Sequence, residues 1–493
     1  MRGLPVTARS EHLWLLLLLA AAIMAAFLAV RQMSHSLWFD ETQTANIAQA
    51  PTLAGLVEKA IHERPYPPLY FLVDRVSWKL RRDEIGMRFP SAIFGALATI
   101  AVYLFGASLF QARTAAAAAL LFCLMPGMFA YFIDANPYTL LALTSTLSAW
   151  GLWRALGSDR AEDWMLYVAA AAGGLACHAL FVFHIGSHLL AGLVWKRSLR
   201  WSVQPRFYKA LTLVFLLWIS WAIFFRLNRG LQRPIVLGRL LDGNLTYVFA
   251  ATFVGFVSLS TALAFLTWPI LQVAGSVTLF LRDKRLFAFL ASLIAPPLIG
   301  ISLFTHAALP FTAYRYGSGI FPLTCLVGAS VLETSFGRLA KVTLAVLVIV
   351  NLVAGASVVV GAPIGFFDHE DWSGVAAFLA QNGAPGDTLL LDPGWNREAL
   401  NYYYHGPLAR EYIDDSGALG PNVLEYCRAH SDGRKWLIVA GSLPSHTAAQ
   451  WKAVQMAQRG LSLSTRLQES GRVTLGPPRL FTGITVYALS CHR

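Results

Sequence analysis

LWLLLLLAAAIMAAFLAV at residues 13–30, then RQMSHS, then LWFDET at residues 37–42, is the stretch that decides the fold. Its first eighteen residues carry no charge. As a helix rising about 1.5 Å per residue, they come within reach of the roughly 30 Å hydrocarbon core of a bilayer. Arg2 and Arg9 ahead of the run look like the start of a signal peptide. The apolar core, however, exceeds the usual length of about 7–15 residues, and no small-x-small cleavage site precedes Arg31, so a retained helix is expected. Just past its far end stand two adjacent carboxylates, Asp40 and Glu41. Acids there contribute little to packing, but they are well placed to handle a proton or a cation beside a lipid-borne substrate.

The composition agrees with a membrane setting. Of 493 residues, 56% are hydrophobic and 13% charged, whereas an ordinary soluble protein is roughly 25% charged. A soluble fold of this length would have no way to hide so much apolar surface. The net charge of +12 raises the question of nucleic acid. The basic residues, however, sit in short clusters between apolar runs and no nucleic-acid motif accompanies them, so no nucleic-acid partner is expected. They are expected instead to set topology and to meet anionic membrane lipids. Cys123, Cys177 and Cys325 lie in apolar runs and read as small hydrophobes. Cys427 and Cys491 lie in a polar tail and are placed to pair if that tail is extracytoplasmic.

Apolar segments recur near residues 13–31, 88–109, 114–132, 136–155, 164–180, 181–196, 209–226, 247–280, 286–304, 318–333 and 341–360. The fold class expected is therefore a polytopic α-helical membrane protein of about eleven spans. With alternating spans, the basic joints at Arg154/Arg160, Lys196–Lys209, Arg282–Arg285 and Arg338/Lys341 all fall on one side, which is then cytoplasmic. The loop after the first span, the 305–317 loop and the tail fall on the other side. Arg64, Arg75, Arg81, Arg82, Arg226, Arg229, Arg233 and Arg239 run against this tendency. Binding a phosphate or snorkelling to lipid head groups would each account for them.

Hydropathy drops near Pro363. Beyond it, helix-like stretches at Trp372–Ala380 and Asn396–Tyr404 alternate with strand-like ones at Thr388–Leu391, Trp436–Ala440 and Ile484–Leu489. The expected organisation is a transmembrane domain over residues 1–361, which includes an extracytoplasmic loop 32–87, and a small extracytoplasmic α/β domain over 362–493. Within the loop, Ala45–Ala60 and Leu69–Leu80 read as two interfacial helices around a turn that Pro65, Pro67 and Pro68 keep from being helical.

The order LWFDET, PYPPLYFLV, RFPSAIFGALATIAVYLFG and YFIDANPYTLLALTS resembles the membrane-embedded glycosyltransferases of the GT-C type. It is most similar to the dolichyl-phosphate-mannose-protein mannosyltransferase-like branch, which includes bacterial aminoarabinose and galacturonic-acid transferases. The resemblance covers about residues 35–330 and includes Arg315-Tyr316 ahead of Pro322. It implies transfer of a sugar from a polyprenyl-phosphate donor to a lipid, glycan or protein acceptor outside the cytoplasm, in a bacterial inner (plasma) membrane. Two places depart from the family pattern. Arg64-Pro65-Tyr66-Pro67-Pro68 stands where His-Pro-Pro is common, with His62 the nearest imidazole, and Asp134-Ala135-Asn136-Pro137-Tyr138 has asparagine where arginine is usual.

Glycosyl transfer needs a carboxylate to take the acceptor proton, and cationic side chains or a divalent metal cation to stabilise the leaving phosphate. By its match to the family's loop-one acid, Asp40 is the expected base; Glu41 and Asp134 are the other candidate catalytic acids. Glu41 is also placed to cap or orient if the backbone there is helical. Arg315, Arg64 and Arg88 are the expected phosphate ligands, because a guanidinium matches phosphate oxygens in a fork. His62, Tyr66, Tyr138 and Tyr316 are expected to bind substrate. His178, His184 and His188 recur at near-helical spacing, where bonding across helices is favoured over metal ligation. The rival function is a transporter or flippase of lipid-linked sugars, but no internal repeat supports it.

Overall fold

The computed structural model describes residues 30, 33–64, 66–195, 203–229, 261–308, 313–334, 337–359, 370–392, 394–412, 419–430, 433–440, 467 and 473–492. The expected first span, the start of the 247–280 run and Pro65 lie outside these residues. By contacts the chain divides into two units: one is residues 1–33 with 47–364, the other residues 34–46 with 365–493. The division falls inside the helix Phe39–Ala48, between Asn46 and Ile47.

The first unit is helical. Among the described residues, Glu84–Leu109, Pro205–Ile223, Leu263–Arg282 and Lys284–Phe304 are long and apolar enough to cross a membrane. The pair Ala112–Leu124 and Pro126–Phe132 makes a fifth when taken as one bent span; its bend is 66°, at Met125. Pro126 opens the second half of that pair, where its missing N–H breaks no helical bond. Tyr138–Ser158, Ala161–Cys177, Val182–Trp195, Phe321–Ala329 and Arg338–Val359 are further helices among the described residues.

The outer surface of this unit is apolar. Phe89, Ile93, Leu97, Ile100 and Leu104 are exposed along one face of Glu84–Leu109, at a spacing of three or four residues. Leu339, Val342, Val346, Ile349 and Val353 make a similar stripe on Arg338–Val359. The inside carries polar side chains: Thr139, Thr144, Ser145, Thr146 and Ser148 of Tyr138–Ser158 are all buried. Such a distribution suits a surround of lipid rather than water. Helices meet closely at glycine: a Cβ at Gly151 would strike the Tyr167 backbone, and one at Gly275 the Val327 carbonyl.

The joints gather in two groups. Asp159 accepts from Arg206 at 3.0 Å, and Glu333 pairs with Arg282 while accepting from Gln111 N–H and the Thr114 hydroxyl. These are joints that alternation puts on the cytoplasmic side. The second group, from the joints assigned to the other side, forms the candidate site.

The loop after the first span holds three helices where two were expected: Phe39–Ala48, Leu53–Glu63 and Leu69–Leu80. The Ala45–Ala60 stretch is interrupted because Pro51 has no N–H to donate and Thr52 caps a new helix, accepting from Gly55 N–H at 3.0 Å. Arg75 closes this part of the loop by donating to the carbonyls of Ala48, Ala50 and Pro51. That is the local use of one arginine that runs against the charge tendency; Arg81, paired with Asp83 at 2.7 Å, is another.

The second unit is built on a sheet of order β2-β1-β3-β6-β4, with β5 paired to β6. β1 (Thr388–Asp392) runs parallel to β2 (Ala409–Tyr412) and to β3 (Lys435–Ala440). β4 (Val473–Leu475) and β5 (Arg479–Phe481) both lie antiparallel to β6 (Ile484–Cys491), as does β3. β1 is buried on both faces. Leu389 and Leu391 pack with Trp372, Leu379, Leu400 and Trp436, while Leu390 packs with Val423, Cys427, Leu437 and Leu489. Helices Trp372–Asn382 and Arg397–Tyr403 therefore cover one face and Leu419–Ala429 the other. A disulfide joins Cys427 to Cys491, whose Cα atoms are 5.3 Å apart. At the start of β1, Asp387 accepts from Arg434 at 2.9 Å, Trp436 at 3.0 Å and Ala384 N–H at 3.0 Å. Burial opposes the charge on Asp387, but these donors outweigh it and hold the carboxyl below its usual range.

Candidate active site

In the helical unit, one polar cluster draws on four joints that are far apart in sequence. Arg64, at the end of Leu53–Glu63, is buried and donates Nη1 to Asn136 Oδ1 at 2.8 Å. Asn136 in turn donates Nδ2 to Asp134 Oδ1 at 2.7 Å. The asparagine that replaces the family's arginine thus links a cation to a carboxylate. The Asn136 carbonyl accepts from Ser91, whose hydroxyl meets that of Tyr70 at 2.6 Å.

The Arg64 guanidinium lies 5.2 Å above the Tyr66 ring. His178 sits between Tyr66 and Tyr316, with ring centroids 4.9 and 5.0 Å away. The Tyr66 phenol feels those of Tyr316 and Tyr138 as electrostatic neighbours. Desolvation, then the neighbouring Tyr138, pushes the Tyr66 phenol well above its usual range against the opposing effect of Arg64, so it stays neutral. Arg315 is buried in the short turn Ala313–Tyr316. The cluster presents the Arg64 cation, phenols and one carboxylate on a buried surface, which can bind an anion and orient hydroxyls.

The remaining expected residues have other contacts. Arg88 is buried and donates Nη1 to the Met33 carbonyl at 2.7 Å, a backbone contact that fixes the loop's start. His62 is exposed in the last turn of Leu53–Glu63, so the structure does not bring it to the buried cluster. Asp40 and Glu41 belong to the second unit. Both are buried in the first turn of Phe39–Ala48. Glu41 accepts from Trp38 N–H at 3.2 Å, the side-chain half of a capping box that satisfies a donor at the helix start. Asp40 begins the same helix, where the helix dipole favours its charge.

Two contributors fall outside the expected set. Asn136 was visible in sequence only as a departure from a motif, and His178 as one of three periodic histidines. The three histidines do not act alike. His178 lies at the break between Ala161–Cys177 and the turn Ala179–Phe181, and its Nδ1 accepts from Leu180 N–H at 3.2 Å. His184 faces Ser145 at 3.3 Å, and His188 meets the edge of Tyr167. Among the described residues, no three His, Cys, Asp or Glu side chains gather where they could hold a metal ion. Asp134's immediate neighbour is an amide whose oxygen is already taken by Arg64, a poor donor set for a divalent cation.

Residues 65–224 match the sequence model of the family described as dolichyl-phosphate-mannose-protein mannosyltransferase. ArnT from Cupriavidus metallidurans in the apo state superposes with a TM-score of 0.58 at 14% identity, over 97% of this chain and 98% of that one. The same enzyme bound to undecaprenyl phosphate gives 0.56 at 14% identity, over 96% and 98%. This is the fold of a GT-C type membrane glycosyltransferase. An Archaeoglobus fulgidus oligosaccharyltransferase tethered with an acceptor peptide matches with a TM-score of 0.50 at 11% identity, over 97% of this chain and 74% of that one. No curated protein matches the chain by sequence. The GT-C resemblance read from LWFDET, PYPPLYFLV and their neighbours agrees with this fold, and residues 65–224, which carry three of the four quoted motifs, are the ones that match the mannosyltransferase model.

Proposed function

We propose that the protein transfers a sugar from a polyprenyl-phosphate donor to an acceptor hydroxyl outside the cytoplasm, by direct displacement with inversion. Asp40 takes the acceptor proton as the hydroxyl oxygen attacks the anomeric carbon. The bond from that carbon to the phosphate oxygen breaks, and the polyprenyl phosphate leaves. Arg315 and Arg64, with Arg88 as a third cation, stabilise the charge on the departing phosphate. Asp134, held through Asn136, and the phenols of Tyr66, Tyr138 and Tyr316 orient the substrates. Glu41 shapes the helix start beside Asp40. Should a divalent cation take part, it would share the charge on the leaving phosphate. The acceptor is a lipid, a cell-envelope glycan or a protein.

One observation carries this reading: Arg64 and Arg315 are buried in an otherwise lipid-facing helical unit, where an arginine is costly unless it has work to do. The ArnT match supports the lipid donor, because one of its structures holds undecaprenyl phosphate. The whole chain is then a multi-pass protein of about eleven spans. Residues 1–361 form the transferase domain, and the site and residues 362–493 lie outside the cytoplasm of a bacterial inner membrane. The Cys427–Cys491 disulfide supports that orientation, since such bonds persist in oxidising compartments.

The test is reconstitution of the purified protein with labelled polyprenyl-phosphate sugars. Transfer is expected, and Asp40→Asn should lower kcat by about 10²–10⁴-fold, the usual contribution of a general base. Movement of intact donor across the vesicle without transfer would favour a flippase, and an Asp40→Asn protein of full activity would remove the base.

A further inference from the structure

Asp40 lies on a thirteen-residue segment, 34–46, that belongs with the C-terminal unit although some 320 residues separate them in the chain. The fastenings are specific and stand on both sides of the acid. Before it, the Ser36 hydroxyl donates to Ser373 Oγ at 2.8 Å and accepts from Ser373 N–H at 3.1 Å. Next to this, Leu37 N–H donates to the Tyr403 hydroxyl at 2.7 Å. After it, Asn46 donates Nδ2 to Glu398 Oε2 at 3.3 Å. Asp371 completes the set by accepting from Ser373 Oγ at 3.1 Å while it caps the helix Trp372–Asn382 through Gly374 N–H at 2.8 Å.

Leu37 is fully buried, so its N–H has no recourse to water when the Tyr403 oxygen is removed. Two residues of chain, Trp38 and Phe39, then separate Leu37 from Asp40, and the first turn of Phe39–Ala48, held by Glu41 on Trp38 N–H, makes that connection stiff. A displacement at Leu37 is passed on to the carboxylate. Glycosyl transfer tolerates little of this, because a base must stay within hydrogen-bond reach of the proton it removes.

We infer that the C-terminal unit is a positioning device for the catalytic base, with Tyr403 as its principal positioning residue and Ser36, Ser373 and the Asn46–Glu398 pair in support. The inference rests on the assignment of Asp40 as base. It gives the sheet unit a part in the chemical step that is independent of substrate binding. Tyr403 neighbours Tyr402 in a run of three tyrosines that composition alone would hand to a saccharide surface. The contact with Leu37 gives it a different task.

The test uses the full chain in detergent or nanodiscs. Tyr403→Phe keeps the ring and removes only the oxygen. It should lower kcat about tenfold, leave binding of the polyprenyl-phosphate donor unchanged, and speed hydrogen exchange of residues 36–42 while that of β1 and β3 stays as it was. In an Asp40→Glu background, whose carboxylate is already displaced, the same change should cost less than twofold. An equal loss in both backgrounds, or no change in exchange over 36–42, would overturn the inference. Should Tyr403→Phe fail to fold, Ser36→Ala with Ser373→Ala tests the same clamp by the same readouts. A wild-type rate for Asp40→Asn would instead remove the base assignment, a result separable from a silent Tyr403→Phe beside an inactive Asp40→Asn.

Discussion

Burial means opposite things in the two units. In the sheet unit the interior is Trp372, Leu389, Leu391, Leu437 and Val486, with Arg397, Arg428 and Arg479 outside. In the helical unit Phe89, Leu97 and Ile100 face outward, and Arg64, Asp134, Ser145 and Arg315 are buried. The first is a fold driven by water; the second is surrounded by hydrocarbon, where apolar exposure costs nothing and interior polarity must be justified by contacts or chemistry. A buried leucine in the sheet unit reports on folding. A buried arginine among the helices is a sign of function.

The largest test of this contrast is covalent. Replacing Cys427 and Cys491 by serine releases a cross-link that closes a 64-residue separation. It should cost the sheet unit about 2–4 kcal/mol, read by pulse proteolysis of β3 and β6, with the helices around Tyr138–Ser158 unmoved. Equal loosening of both units would break the comparison. The next effect is functional: Arg315→Ala should weaken donor binding about 10- to 100-fold, the worth of a charged hydrogen bond. It should leave the melting of the sheet unit alone, and unchanged donor affinity would reassign Arg315 to structure. The smallest is a titration. Asp387 is depressed in the folded state, so the stability it lends is complete above the unfolded carboxylate value, about 4, and drains away as pH falls through the lower folded value. Acid should therefore destabilise the sheet unit more in the wild type than in Asp387→Asn, measured by Trp436 fluorescence.

Legibility in the sequence followed the range of the interactions. The apolar spans and the strands at Thr388, Trp436 and Ile484 are local patterns, and among the described residues helices and strands stand where those patterns put them. The break at Pro51 was equally local, yet the apolar content on either side masked it. Arg64, Tyr66, Tyr138 and Tyr316 could be named from motifs, but their meeting could not be read, since Arg64 and Asn136 are 72 residues apart. His178 was hidden by periodicity: grouped with His184 and His188, it looked like one face of a helix, whereas a chain break sets it apart. The attachment of residues 34–46 had no local signal, because Ser36, Leu37 and Asn46 find their partners only in the folded tail.

Strand β6 lies between β3 and β4 in the sheet but comes last in chain order. Leu37 waits for a partner made 366 residues later, an interval of roughly 20–70 s at ordinary rates of synthesis. A nascent copy therefore carries its acid unsecured while the ribosome finishes the membrane region. Asp40 gains the Leu37–Tyr403 fastening only once the tail has been made and folded, which builds a delay between synthesis of residues 34–46 and their final placement.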